Sequence, residues 1–185
     1  RSRRQRQMCI RDSPQHTTQP QETSSISVRQ VERSERWGDI DVCFGQVEVT
    51  DQVTGYQVRD IYSSAVLGEH PLDLPARTLV TKAVWFEIPA DLLHAWSLEE
   101  ADFPGALHAA EHAQIAMLPL LATCDRWDIG GVSTALHADT EKPTIFVYDG
   151  AQGGAGFAER AYESAPAWIR ATADMIETCE CQAGC

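Results

Sequence analysis

Apolar and polar residues alternate in the first half of the chain, between residues 42 and 61. The apolar positions are Val42, Phe44, Val47, Val49 and Val53, followed by Tyr56, Val58 and Ile61. A spacing of about two residues is typical of β-strands, whose side chains point to opposite faces in turn. Thr54 and Gly55 interrupt this alternation, which predicts two strands joined by a turn. Two further strands are predicted over residues 82–88 and 144–148.

The second half of the chain has the spacing of helices. Residues 105–123 are apolar on almost every side, which predicts a central, buried helix that ends near Pro119. Shorter helices are predicted over residues 90–96, 157–164 and 167–178. Strands followed by helices indicate the α+β class. We expect N-terminal antiparallel strands, a buried central helix, a short strand and C-terminal helices that lead into a cysteine zinc cluster.

The N-terminal segment has little periodic apolar pattern. Residues 1–30 are rich in Arg, Gln, Ser and Thr, which favours disorder. Residues 4–13 resemble the translated adapter sequence found at the ends of metagenomic fragments, and a natural basic tail is the alternative. We therefore predict a disordered or artefactual tail over residues 1–36 and one domain over residues 37–185.

Charge is unevenly distributed along the chain. Residues 1–36 contain eight Arg and four acidic residues, whereas residues 37–185 contain seven basic and 23 acidic residues, a net charge of −16. Such a surface repels a nucleic-acid backbone. The predicted domain alone therefore does not resemble a DNA-binding module, although a small basic groove within it is compatible with the composition.

No apolar run approaches the roughly 18 to 20 residues that a membrane helix needs. The beginning of the sequence also lacks the apolar core of a signal peptide. We therefore expect a cytoplasmic protein with no membrane partner.

His108, Glu111 and His112 form an H-x-x-E-H motif within the predicted central helix. Histidines four residues apart share one face of a helix, and inverted zincins use this spacing to bind zinc and activate water. This predicts a metallohydrolase as an alternative function. The competing interpretation is a pair of partly buried histidines with structural hydrogen bonds.

An alternation of acid and guanidinium precedes two glycines at residues 125–131. A local ion-pair network that stabilises a turn is our preferred interpretation, and a charged, partner-facing elbow is the alternative.

A glycine-rich loop at residues 149–156 connects a predicted strand to a predicted helix. Such a loop can present backbone N–H groups to a phosphate. It lacks the Lys-Ser/Thr of a Walker A loop, so we favour a tight turn with close helix packing.

Three of the six cysteines, Cys179, Cys181 and Cys185, crowd into the last seven residues. Without a secretion signal, clustered thiols indicate metal ligands rather than disulfides. Structural zinc takes four ligands, and these three thiols favour a metal cluster over the alternative of incidental reduced cysteines.

Several of these motifs together resemble one family. In chain order they are GEHPLDLP (68–75), TKAVW (81–85), GALHAAEH (105–112), CDR (124–126), DIGGVS (128–133), FVYDG (146–150), GG (153–154) and CECQAGC (179–185). Residues from about 40 to 185 resemble the C-terminal MrfA-type zinc-binding domain of DEAD/DEAH-box (superfamily 2) DNA helicases.

The resemblance implies an accessory domain of an ATP-dependent 3′–5′ DNA helicase that serves DNA repair. It implies motor domains elsewhere in the parent protein, which would bind ATP and Mg²⁺, and it implies DNA contact through the full-length protein. A repair nuclease is a candidate partner. In the family the cysteine run continues with a proline and at least one more cysteine, so the domain is expected to be truncated at its C-terminus. Without a motor, this chain is expected to have no catalytic activity of its own.

Overall fold

The computed structural model describes residues 15–180. Six strands and four helices follow one another in the order that the α+β prediction requires. The strands are β1 (His16–Trp37), β2 (Ile40–Asp60), β3 (Val66–Pro71), β4 (Arg77–Glu87), β5 (Ile129–Thr134) and β6 (Thr144–Asp149). The helices are α1 (Ala90–Ala95), α2 (Phe103–Met117), α3 (Phe157–Glu163) and α4 (Ala165–Thr178), and two 3₁₀ turns lie at Leu118–Leu120 and Arg126–Asp128. The predicted fold class is confirmed, whereas Cys181 and Cys185 of the predicted cluster lie outside the described residues.

The strands belong to one sheet in the order β1-β2-β4-β6-β5, and β3 pairs with β2. Residue contacts divide the chain into two compact units. One unit contains residues 50–78 and the chain up to Ser25, and the other contains residues 26–49 and 79–185. β1 and β2 thus each contribute to both units. The domain boundary that we predicted at residue 36 falls inside the second unit.

In the second unit the sheet is buried on both faces. One face packs against the helices through side chains such as Phe44, Phe86 and Val147. The other face carries Val47, Trp85 and Phe146 with Ile26 of β1. Strands covered on both sides have continuous apolar runs, as residues 83–86 of β4 and 145–148 of β6 do.

The predicted disorder of residues 1–36 is wrong for the described part, because His16–Trp37 is a strand. β1 is mostly exposed and polar, so it has no apolar periodicity for a sequence pattern to detect. Its position comes from backbone pairing with β2 and from two contacts with the β5–β6 connection. His137 Nε2 lies 3.0 Å from the carbonyl oxygen of Ile26, and the N–H of Val28 donates to Asp139 at 2.7 Å. The segment 4–13 lies outside the described residues.

The turn predicted at Thr54 and Gly55 is also wrong, because β2 continues without a break to Asp60. In the first unit, Gly55 pairs with Pro71 of β3. A Cβ on Gly55 would lie 2.8 Å from the carbonyl oxygen of His70. The glycine is therefore needed for the close approach of two strands rather than for a reversal of the chain.

The long helix predicted over residues 105–123 exists as α2, and it ends before Pro119 as expected. Its burial differs from the prediction. Only one face of α2 is buried, through Phe103, Leu107, Glu111, Gln114 and Ile115. The remaining small residues are alanines, which are compatible with either environment and therefore made the helix resemble a fully buried one.

Candidate functional site

Two charged or polar groups interrupt the apolar packing between α2 and β5. Glu111 is only 4% exposed and lies on the buried face of α2 between the apolar residues Leu107 and Ile115. Its Oε2 accepts a hydrogen bond of 2.6 Å from the hydroxyl of Ser133 on β5. A buried carboxylate needs such partners, because its desolvation is otherwise costly. Glu111 therefore fixes a polar point inside an apolar interface.

The same carboxylate oxygen lies 3.3 Å from Nδ1 of His108, one turn earlier on α2. The other ring nitrogen of His108, Nε2, lies 3.1 Å from Nε2 of His112. The two rings are nearly perpendicular, with an interplanar angle of 89°. Ser133, Glu111, His108 and His112 thus form a continuous polar chain from the buried face of α2 to its surface.

Both histidines are exposed, and 63% of the His108 side chain is accessible. The predicted partial burial of the two histidines is therefore wrong, whereas the hydrogen bonds expected of structural histidines are present. The position of Glu111 also differs from what an inverted zincin requires. Its carboxylate contacts Nδ1 of His108, whereas the short approach between the histidines is made by the Nε2 atoms. Glu111 is thus placed to orient His108 rather than to activate a water between the two rings.

The two glycines of the DIGG segment begin β5 and allow close packing on two sides. A Cβ on Gly131 would lie 2.6 Å from Oε1 of Glu111 and 2.7 Å from Cδ1 of Ile115. A Cβ on Gly130 would collide with the ring of Tyr148 on β6. The sequence predicts a turn over residues 125–131, whereas both glycines belong to β5. The strand assignment could not be made from sequence because glycine has low strand propensity.

The turn before them is held by Asp125 and Asp128 rather than by an ion-pair network. The N–H of Asp125 donates to Asp128 Oδ2 at 3.0 Å, and the two residues form a capping box around the 3₁₀ turn. Within residues 15–180, no ion pair includes Arg126. Our preferred interpretation of this segment is therefore wrong in mechanism, although a local stabilised turn is present.

The glycine-rich loop is an internal cap. Asp149 is completely buried at the end of β6, and its carboxylate accepts three backbone hydrogen bonds. The donors are the N–H groups of Ala155 at 2.6 Å, Gly156 at 2.8 Å and Ala158 at 2.7 Å. These are the amides at the N-terminus of α3 that a phosphate would need. The tight turn is therefore confirmed, and the protein's own carboxylate occupies the anion position.

The cysteines of the described residues lie in different surroundings. Cys43 is buried and donates toward Glu87, and burial together with this carboxylate raises the pKa of its thiol to about 12. Burial also raises the pKa of Cys124, with smaller contributions from nearby aspartates. Within residues 15–180, neither thiol belongs to a group of side chains placed to hold a metal ion.

Cys179 is exposed and directly follows α4. Of the three predicted zinc ligands, Cys179 alone is among the described residues, and Cys181 and Cys185 lie outside them. The donor set nevertheless fits zinc, because three thiolates within seven residues are the soft ligands that structural zinc sites use.

A family model for the MrfA Zn-binding domain matches residues 110–185. The matched region begins in α2 and includes all three terminal cysteines. The chain belongs to the MrfA zinc-binding domain family. A solved structure described as the DUF1998 helicase MrfA bound to DNA matches 94% of the chain with a TM-score of 0.72 and 26% identity, and the chain covers 23% of it.

Relatives of this MrfA-type domain include proteins named ATP-dependent helicases. The chain is 26% identical over 180 residues to the helicase hrq1 of Schizosaccharomyces pombe, covering 90% of this chain and 16% of that protein. It is 29% identical over 161 residues to the uncharacterized helicase YprA of Bacillus subtilis, covering 86% of this chain and 21% of that protein. A shorter, uncharacterized protein of Methanocaldococcus jannaschii is 35% identical over 82 residues, covering 43% of this chain and 73% of that protein. The chain therefore spans about a fifth of the length of the helicases that it matches.

In the described part of the chain, no helix combines the length and apolar character needed to cross a membrane.

Proposed function

We propose that this chain is the C-terminal accessory, zinc-binding domain of an ATP-dependent 3′–5′ DNA helicase that acts in DNA repair. The observation that carries the proposal is the relation between the matched lengths. Nine tenths of this chain align with only 16% of the helicase hrq1, and the zinc-binding domain model matches residues 110–185 of this chain. The ATP- and Mg²⁺-binding motor would thus belong to other domains of the parent protein, in the cytoplasm.

Within this proposal, Cys179, Cys181 and Cys185 hold a structural zinc ion together with a fourth ligand from outside this chain. Zinc bound by thiolates contributes its binding free energy directly to folding. Because Cys179 immediately follows α4, the site would fix the segment that leaves this helix. Trp168 of α4 is fully buried and donates through Nε1 to the carbonyl oxygen of Gln114 at 2.9 Å. The segment would therefore be joined to a helix that is already anchored on α2.

The proposed partners are the parent's motor domains and, through the full-length protein, DNA. A repair nuclease stays a predicted partner. The metallohydrolase alternative is not favoured, because the carboxylate of Glu111 contacts the ring nitrogen of His108 that faces away from His112. A hydrolytic site of that kind needs the carboxylate beside the metal-bound water.

The test compares the full-length parent with the present chain. We expect the parent to hydrolyse ATP in a DNA-stimulated manner and to unwind a duplex with a 3′ single-stranded tail in preference to one with a 5′ tail. We expect no ATPase activity from the chain alone, because it lacks a Walker A loop and the Mg²⁺-binding acid of a motor. DNA-stimulated ATP hydrolysis by the isolated chain would contradict the proposal. The absence of this activity from the full-length parent would contradict it as well.

A further inference from the structure

The surface of α2 carries a pair of imidazoles in a geometry that the zinc-binding family assignment does not explain. His108 and His112 are one helical turn apart, and their Nε2 atoms lie 3.1 Å from each other. Divalent metals bind imidazole nitrogen at about 2.0 to 2.1 Å, so two such nitrogens on one ion with angles of about 90° to 109° are separated by about 2.8 to 3.4 Å. The observed separation lies within this interval.

The His108 ring is held in place from the protein interior. Oε2 of Glu111 accepts from Ser133 at 2.6 Å and faces Nδ1 of His108 at 3.3 Å. A carboxylate at Nδ1 favours the tautomer in which this nitrogen carries the proton, so Nε2 of His108 keeps its lone pair. Metal-binding histidines are commonly oriented by such a carboxylate. The Nε2 proton of His112 then completes the contact between the rings, and a metal ion would replace it.

We propose that His108 and His112 form a second transition-metal site, separate from the terminal cysteines, that binds a divalent cation such as Zn²⁺, Ni²⁺ or Co²⁺ through the two Nε2 atoms. Imidazole suits these borderline cations better than it suits Mg²⁺ or Ca²⁺. Glu111 and Ser133 are positioning residues, since they act through the His108 ring. Both histidines are exposed, so the cation enters from solvent and water completes its coordination. On binding, the proton of neutral His112 moves from Nε2 to Nδ1.

The test uses Ni²⁺ and Co²⁺ as probes on the full chain carrying Cys179→Ser, Cys181→Ser and Cys185→Ser, which removes the proposed zinc ligands. We expect one Ni²⁺ per chain by calorimetry, and a Co²⁺ spectrum without the intense near-ultraviolet bands of thiolate ligation. His108→Asn and His112→Asn should each weaken Ni²⁺ binding by more than about tenfold. His108→Asn retains a donor near Glu111, so its effect cannot be attributed to a lost contact with that carboxylate.

His94→Asn is the matched control, because His94 is also an exposed histidine on a helix. It should leave Ni²⁺ affinity unchanged. Ser133→Ala should weaken binding by about tenfold and shift the ¹⁵N resonances of His108 toward a mixture of tautomers, while the helix content is retained. Ni²⁺ binding of equal affinity in His112→Asn, or no Ni²⁺ binding by the cysteine-free chain, would overturn this site. Either result leaves the zinc-binding domain proposal untouched, because its ligands are absent from this experiment.

Discussion

At the scale of single residues, the buried carboxylate of Asp149 holds the loop that leads into α3. Its side chain is fully buried, and its two oxygens accept hydrogen bonds from three backbone N–H groups. Two of these belong to the loop before α3, and the third belongs to the first turn of α3. Hydrogen bonds to a charged acceptor are stronger than those between neutral groups. The loop also contains Gly154 and Gly156 with φ near +90°, a conformation that other residues adopt with strain. The hydrogen bonds to Asp149 therefore depend on the loop conformation that these glycines adopt without strain.

Asp149→Asn should lower the free energy of unfolding by about 2 to 3 kcal/mol. The amide keeps a single acceptor oxygen, and its NH₂ group points toward a backbone N–H that previously donated to the carboxylate. Urea unfolding followed by circular dichroism measures the change. Asp73→Asn, an exposed aspartate, is the control and should change stability by less than about 0.5 kcal/mol. A similarly small effect of Asp149→Asn would contradict the role assigned to the carboxylate.

At the scale of elements, the contact between α2 and β5 depends on the absence of a side chain at Gly131. The position faces Oε1 of Glu111 and Cδ1 of Ile115 at distances that no real Cβ could occupy. The helix and the strand therefore lie closer together than two ordinary side chains would allow. The hydroxyl of Ser133, two residues along the same face of β5, reaches Glu111 because of this close approach.

Gly131→Ala should destabilise the protein by about 1 to 3 kcal/mol, because the helix or the Glu111 side chain must move. Gly105→Ala is the matched control. Gly105 lies in α2 with open space around its Cβ position, so this substitution should stabilise by up to about 1 kcal/mol through helix propensity. Thermal unfolding should show a lower melting temperature for Gly131→Ala and a higher one for Gly105→Ala. A neutral Gly131→Ala variant would show that the α2–β5 interface can separate without cost.

The elements that carry strong apolar periodicity could be predicted from sequence. β4, β6 and α2 to α4 lie close to their predicted positions, because burial dictates their patterns. β1 could not be predicted, since its polar residues are held by backbone pairing with a distant strand. Only part of the polar chain that joins Ser133 to His112 could be predicted from the sequence. The spacing of His108 and His112 was evident, but the burial of Glu111 depends on Gly131 and Ser133 of β5, which follow it by 20 and 22 residues.

At the scale of the whole molecule, the net negative charge of this domain is unlike that of a DNA-binding surface. Residues 37–185 have a net charge of −16. Several of the basic side chains are also already paired, as in the contacts of Lys82 with Glu32 and of Lys142 with Asp41 and Glu87. Paired cations release fewer counterions when a nucleic acid approaches. If the proposed function holds, DNA binding therefore belongs to the parent's other domains.

Residues 15–185 alone should bind duplex DNA weakly, and the affinity should change little with salt concentration. Fluorescence anisotropy over a range of salt concentrations measures both properties. Lys82→Glu reverses the charge of a side chain that is ion-paired with Glu32, and Arg126→Glu reverses one for which the described residues show no ion pair. Neither substitution should change the weak DNA binding. Submicromolar affinity at physiological salt that is lost in either variant would reveal a local basic site and contradict this assignment.

The central claim, that the terminal cysteines hold a structural zinc ion in an accessory helicase domain, is tested most directly by metal analysis of the full-length parent. After dialysis against a weak chelator, elemental analysis should find about one tightly bound zinc per chain, since structural zinc sites are closed by four protein ligands. Cys181→Ser should abolish this zinc, whereas Cys124→Ser, at a partly buried cysteine outside the cluster, should retain it. His112→Asn should also retain it. Equal, chelator-resistant zinc in the parent and in Cys181→Ser would contradict the account.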